Sequence, residues 1–525
     1  MGSELIPVPK TDQGVQRLTD FQTRFLLPFF FERRGVTKAL AALQAETFST
    51  RDGKSFPLWE CAEAHHLYKD ELLDHVVQFL FGTRKDAGCG FLRVADVAAN
   101  AWFAQTEIVL ANGKRLPLRL VPGPRIELFV SPQGVGVLSM AFTPELHDLA
   151  QEDALEFNYH LAQFQRRIAC RIRKRHPRDN PEVWQKMAAE QQQRIPPAPA
   201  DDTALADRLG APGGNFAMAE LIAYLLKGLS EADCEPIQAE LSVYTVARFG
   251  PKVDFGDAAR RTELAPFLSA LSQVEESTHA IPPADQLGVP NVILNSRHWS
   301  ATGLLGAAHL VADQGEVEFD KQKLGIVRDK YFIPFLLVLM QRTALNRGIK
   351  EAGSILAQPA DSAPDALAHL RDDMLRFAVE GHFTQVSSRH VLHRFYQLVR
   401  EGMDVSASWE EVRRAIADLD ARFTAERESR MTLDMAKNLG IVTRVQLIVE
   451  FMEIFIVSVY FAHLWHMFAH QNQLLEEWLP GKSLHWVVHG GVFVAALLGG
   501  FIAFLIVRPG KHHGAGQEPN KRTEP

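Results

Sequence analysis

The chain has 525 residues, with 56 lysines and arginines against 63 aspartates and glutamates, a formal net charge of −7. That balance gives no global positive field, so a nucleic-acid partner is not expected. Cys61, Cys89, Cys170 and Cys234 show no C-x-x-C spacing, which fits reduced thiols and excludes a disulfide framework or a zinc ribbon.

Met1–Asp20 has no apolar run of signal-peptide type. Residues 16–85 read as mainly helical. A β-meander follows: Glu107–Leu110 and Arg115–Val121 flank Asn112–Gly113, and Arg125–Val130 and Val135–Met140 flank Ser131–Gly134, both hairpin signatures. After Pro144 the chain reads as a long helical run carrying Arg166, Arg167, Arg171, Arg173, Lys174, Arg175 and Arg178. Such a cluster is either a solvated helix face or a site for a small anionic ligand, such as a nucleotide or an acidic lipid head group. Ile195–Asp202 (IPPAPADD) has the composition of a linker.

Leu241–Phe249 and Asn291–Leu294 read as strands, either of a second α/β portion or of one sheet shared with the meander. Ser296, His298 and Ser300 place serines beside a histidine, but no G-x-S-x-G elbow surrounds them. No phosphate-binding glycine loop, kinase signature or H-E-x-x-H occurs, so an enzyme is not expected. From Lys323 the chain reads as helical. Tyr331–Met340 is too short to span a bilayer and predicts a buried core helix. Further helices are expected at Asp365–Val379 and Ser387–Gly402. A last one begins near Ser408, where Val412, Ile416, Leu419 and Phe423 form a coiled-coil-like seam.

Two apolar stretches end the chain, Val445–Phe468 and Leu484–Val507, each long enough to cross a bilayer. The expected fold is therefore an α+β cytoplasmic body with a long C-terminal stalk helix and a two-helix transmembrane hairpin. The expected parts are an α/β domain over 1–200, a second α/β portion over 201–322, a helical domain over 323–407, a stalk over 408–444, a hairpin over 445–507 and a basic disordered tail over 508–525. Arg427, Arg430, Lys437 and Arg444 before the hairpin and Arg508, Lys511, Lys521 and Arg522 after it place both termini on the cytoplasmic side of an inner (plasma) membrane. Glu450 and Glu453 share a helix face with Val457, Tyr460 and Leu464. They either line a cation path, or else reach to the interface or pair with Arg444. His463, His466, His470, His485 and His489 gather at the opposite end, at spacings that suit a divalent metal ion or a proton switch.

In this order of parts the chain resembles the CorA-type metal-ion channels, most specifically over Ser408–His513. That family closes its first span with Tyr-Gly-Met-Asn. Here the stretch is Tyr460-Phe461-Ala462-His463, which keeps the tyrosine alone. The resemblance implies a homo-oligomer, a pentamer, with the first span lining a pore and membrane lipid around it. CorA-like proteins without the motif resemble ligand-activated membrane effectors of defence or signalling systems. The expected function is thus a homo-oligomeric cation channel gated by its body. The alternatives are such an effector, or a membrane-anchored scaffold without conduction.

Overall fold

The computed structural model describes residues 17–471 except 31–35, 50–53, 63–70, 82–89, 111–112, 124, 132, 146–148, 166–169, 230–234, 237–239, 252, 276–288 and 359–361, and beyond 471 it describes Gly490 and Val494. The strands are β1 Asp20–Phe30, β2 Thr47–Ser49, β3 Ser55–Pro57, β4 Trp59–Cys61, β5 Phe91–Val94, β6 Thr106–Leu110, β7 Arg115–Leu120, β8 Ile126–Val130, β9 Val135–Pro144, β10 Cys170–Lys174, β11 Asn215–Phe216, β12 Glu235–Pro236, β13 Ser242–Phe249, β14 Asn291–Asn295, β15 His298–Thr302 and β16 Gly306–Ala312. The helices are α1 Val36–Ala45, α2 Asp74–Phe81, α3 Asp96–Phe103, α4 Gln151–Ala162, α5 Pro181–Lys186, α6 Ala189–Arg194, α7 Leu205–Arg208, α8 Met218–Leu225, α9 Ala258–Gln273, α10 Val317–Gly325, α11 Phe332–Leu356, α12 Ala363–Glu380, α13 His390–Gly402 and α14 Val405–Gln471.

Fourteen of these strands form one sheet, with the path β11-β10-β6-β7-β9-β1-β13-β16-β15-β14, while β8, β5 and β4 branch from β9 and β12 pairs with β1. The shared-sheet alternative is therefore the arrangement adopted: β13 lies against β1, with Phe25 opposite Val243. The pairing of β13 with β16 is parallel, and their connection carries α9 across the sheet.

β1 corrects the helical expectation for residues 16–85. It is buried along almost its whole length, as a strand covered on both faces must be, and so shows no alternation to read. Phe21, Phe25, Leu27 and Phe29 join the main core, which α3, α4, α8 and α9 complete. Each such side chain stabilises the fold by roughly 1.5–3 kcal/mol on burial. Pro28 falls between the β13 ladder, which ends at Leu26, and the β12 ladder, which begins at Phe29. There one edge of the strand lacks a partner. Gly113 and Gly134 have φ of 82° and 78° at the two hairpin turns, where a side chain would be strained. Cys61 is disulfide-bonded, against the expectation of four reduced thiols.

On the opposite face of the sheet, Tyr244 and Phe129 pack their rings on Phe332 at 5.6 and 5.9 Å. Phe332–Met340 is buried throughout, so Tyr331–Met340 does open a core helix. A turn of π-helix, Ile326–Lys330, precedes α11. It places Asp329 against Arg24 of β1 at 3.0 Å, and Arg24 also reaches Glu127 at 3.0 Å. Arg93 meets Glu127 at 3.1 Å and Arg328 meets Asp329 at 2.7 Å, closing a buried ionic network. Tyr244 donates its hydroxyl proton to the carbonyl of Val327 at 2.5 Å.

The chain divides into two units, Met1–Leu419 and Asp420–Pro525. In the first, Val405, Val412 and Leu419 of α14 are buried, with Val412 beside Gly348 of α11. Part of the expected seam thus packs within the protomer, while Ile416 is half-buried. Ser408 does not cap the helix. It lies in the first turn and donates to the Asp404 carbonyl at 3.1 Å.

Among the described residues no helix is long and apolar enough to cross a membrane. This overturns the transmembrane hairpin, the multi-pass inner-membrane placement and the membrane-channel character drawn from them. The first expected span is the distal part of α14, where Arg444, Glu450 and Glu453 interrupt the apolar run and His463 and His466 lower its hydropathy further. The second lies outside the described residues apart from Gly490 and Val494.

Candidate anion-binding face

The basic cluster expected on a helix lies instead on β10. Arg171 and Arg175 are exposed and Arg173 half-exposed, while Ile172 between them is fully buried. A period of two, not of 3.6, thus sends the arginines to one face. The ladders set Arg173 opposite Glu107 of β6, Arg171 opposite Val109, and Val109 opposite Arg115 of β7.

Three guanidinium groups converge on one carboxylate as a result. Arg115 Nη1 lies 3.4 Å and Arg173 Nη1 3.8 Å from Glu107 Oε1, and Arg175 Nε lies 3.6 Å from Oε2. Arg173 also holds Asp179 at 3.0 Å. Three cations face two carboxylates, and Arg119, exposed further along β7, adds to the excess. Strong arginine–carboxylate pairs close to about 2.7–2.9 Å, so Glu107 gathers the arginines without saturating them. Arg178 leaves this group to stack over Trp184, 4.9 Å from the ring centroid. Lys174 points the other way and donates to the Ala101 carbonyl at 2.6 Å. Arg166 and Arg167 lie outside the described residues.

Beside this face a cavity of about 480 Å³ is lined by Arg171, Asp201, Arg208, Glu220 and three alanines. Its charges are matched internally. Arg171 pairs with Asp201 at 2.8 Å and Arg208 with Glu220 at 2.5 Å. The hydrogen bond from Arg171 holds the Asp201 carboxyl below its usual range. Burial pushes the Glu220 carboxyl up, but hydrogen bonds from Arg208 and the Ala217 amide outweigh it, and the carboxyl ends below its usual range. The proline-rich stretch supplies Asp201, and His176 Nε2 lies 3.2 Å from the Pro196 carbonyl oxygen. The expected linker therefore runs along the site.

The Ser–His pairing seen in the sequence also materialises, with a partner the sequence did not suggest. Antiparallel β15 and β16 set Ser300 opposite His309. Ser300 Oγ is 2.7 Å from His309 Nδ1 and 3.2 Å from His298 Nε2, and the two ring nitrogens are 3.1 Å apart. Tyr331 and Phe395 close over them. Both histidines and Ser300 are sealed from solvent, so no substrate reaches the serine and the cluster is part of the core. Ser296 is exposed and outside it. Burial, reinforced by Lys323, lowers His298 to about 3. Burial and then the neighbouring His298 push His309 well down. Both imidazoles are neutral.

Glu450, Glu453, Val457, Tyr460 and Leu464 are all exposed on α14, and among the described residues no helix is long and apolar enough to form the span on which their pore role rested. His463 is exposed on the same helix. His466 and His470 follow on its backbone, and His485 and His489 lie outside the described residues. Among the described residues no group of three or more His, Cys, Asp or Glu is placed to hold a metal. No family model, curated protein or solved structure matches the chain.

Proposed function

We propose that this chain is a binding protein rather than an enzyme, and that the outer face of β6, β7 and β10 takes a multiply charged, phosphate-like anion. The observation that carries this reading is the convergence of Arg115, Arg173 and Arg175 on the single carboxylate of Glu107. Guanidinium groups suit tetrahedral oxyanions because their planar forks donate two parallel hydrogen bonds. The sealed Ser300–His309 pair gives no support to a hydrolase, since its hydroxyl has no access to solvent.

Inorganic tripolyphosphate titrated into the full chain tests the reading by calorimetry. Binding is expected at low salt and weakens as salt rises. Arg175→Glu, an exposed substitution, should weaken it by roughly tenfold or more, because a hydrogen bond to a charged group is worth about 1.5–3 kcal/mol. Glu107→Gln should strengthen it, because the internal competitor for the arginines is gone. If both variants bind tripolyphosphate as the wild type does, the reading is wrong.

A further inference from the structure

From Met431 to Met467, α14 exposes an almost unbroken series of large apolar side chains. Ile448, Met452, Ile454, Phe455, Ile456 and Val457 are between 45% and 65% exposed. Exposed apolar area on this scale is uncommon on an isolated protein surface. At 1.5 Å per residue the stretch is about 55 Å long, and a neighbouring helix covers a strip about 10 Å wide. One such neighbour buries about 1,100 Å² summed over the two helices, close to the lower bound for a specific interface. A second helix of equal length and character therefore suffices, and a second copy of this chain supplies one.

The charges say how the copy lies. Arg422 pairs with Glu426 at 3.1 Å and Lys437 with Asp434 at 3.9 Å within the helix. Arg444, Glu450 and Glu453 have no ion-pair partner among the described residues. An in-register parallel copy would set Glu450 against Glu450, a like-charge contact that disfavours that arrangement. An antiparallel copy crossing at Leu447 sets Arg444 level with Glu450 of the other helix, twice over by symmetry. The midpoint of Met431–Met467 is Val449, two residues away. The crossing that matches the charges thus nearly coincides with the one that best overlaps the apolar stretches. We propose that two copies of this chain pair antiparallel through Met431–Met467 of α14, crossing near Leu447. This assembly is independent of the anion site.

Sedimentation velocity on the full chain decides it. The wild type should sediment as a dimer at about 10 μM, within the affinity range of interfaces of this size. Arg444→Glu or Glu450→Arg alone should weaken association about tenfold. The double variant Arg444→Glu/Glu450→Arg should restore it, since the swapped charges again face each other. Both residues are exposed, so unchanged thermal unfolding confirms that the body is intact. A wild type that stays monomeric, or monomers that neutral phosphatidylcholine vesicles capture, would overturn the proposal. So would single variants of unchanged mass or a double variant that fails to recover.

Discussion

Acidification should destabilise the first unit through its sealed histidine pair, and the size of the effect follows from the geometry. His298 and His309 are enclosed by the β15–β16 ladder, Tyr331 and Phe395. Lys323 adds positive charge near His298, and His298 itself opposes a charge on His309. The folded pKa of His298 is about 3, against 6.5 when the chain is unfolded. A base whose folded pKa is depressed contributes no penalty above the unfolded pKa. It costs stability as pH falls from 6.5 toward the folded value, because only the unfolded chain takes up the proton. Each pH unit inside that window costs about 1.4 kcal/mol, so His298 alone removes on the order of 3 kcal/mol at pH 4.5. His309 acts in the same direction. Whole domains are stable by only about 5–15 kcal/mol. Urea unfolding at pH 7.5 and 4.5, on the wild type and on His298→Gln, reads the effect as a double difference in which the carboxylates common to both proteins cancel. The wild type should lose on the order of 3 kcal/mol more than the variant between the two pH values. An equal loss in both proteins would refute the argument, for the imidazole would then be hydrated or already charged in the fold.

Two further outcomes follow from packing. Arg24→Met removes the guanidinium that meets both buried carboxylates, Glu127 and Asp329, and should cost about 3–5 kcal/mol in urea unfolding. Along α14, Leu419→Ala should cost about 2–5 kcal/mol because Leu419 is buried at 4% exposure, whereas half-buried Ile416→Ala should cost less than Leu419→Ala. Equal losses at 416 and 419 would mean that the seam is not packed as described.

Those parts of the fold were legible whose residues carry a local constraint. The two hairpins were readable because Gly113 and Gly134 supply the positive φ their turns need. The core helix at Phe332 was readable because ten apolar residues followed by Gln341 and Arg342 are too few to span a bilayer. β1 was not, because a strand buried on both faces and a buried helix segment look alike in hydropathy. Pro28 added a false signal against a central strand, one removed only by knowing that β13 and β12 divide that edge between them. The union of β13–β16 with the meander depends on contacts between residues more than two hundred positions apart, such as Phe25 with Val243, and no local pattern encodes those.

The site was half legible for a related reason. The arginines were found as a cluster, but their placement on a helix missed the alternation of Arg171, Ile172 and Arg173, which is short and framed by other basic residues. Glu107 and Arg115, which turn a basic strand into a focused site, lie on neighbouring strands and become part of it only through register. The same holds for His309, nine residues beyond Ser300 in the sequence but directly across from it in the sheet. The distal part of α14 shows the opposite failure. Its apolar content was legible, yet hydropathy alone does not say what covers an apolar helix. Arg444, Glu450 and Glu453 were present in the sequence as the counter-evidence to a bilayer. Arg444 and Glu450 make sense as a pair when an opposing surface meets each with opposite charge, and α14 of a second copy, reversed about Leu447, is such a surface.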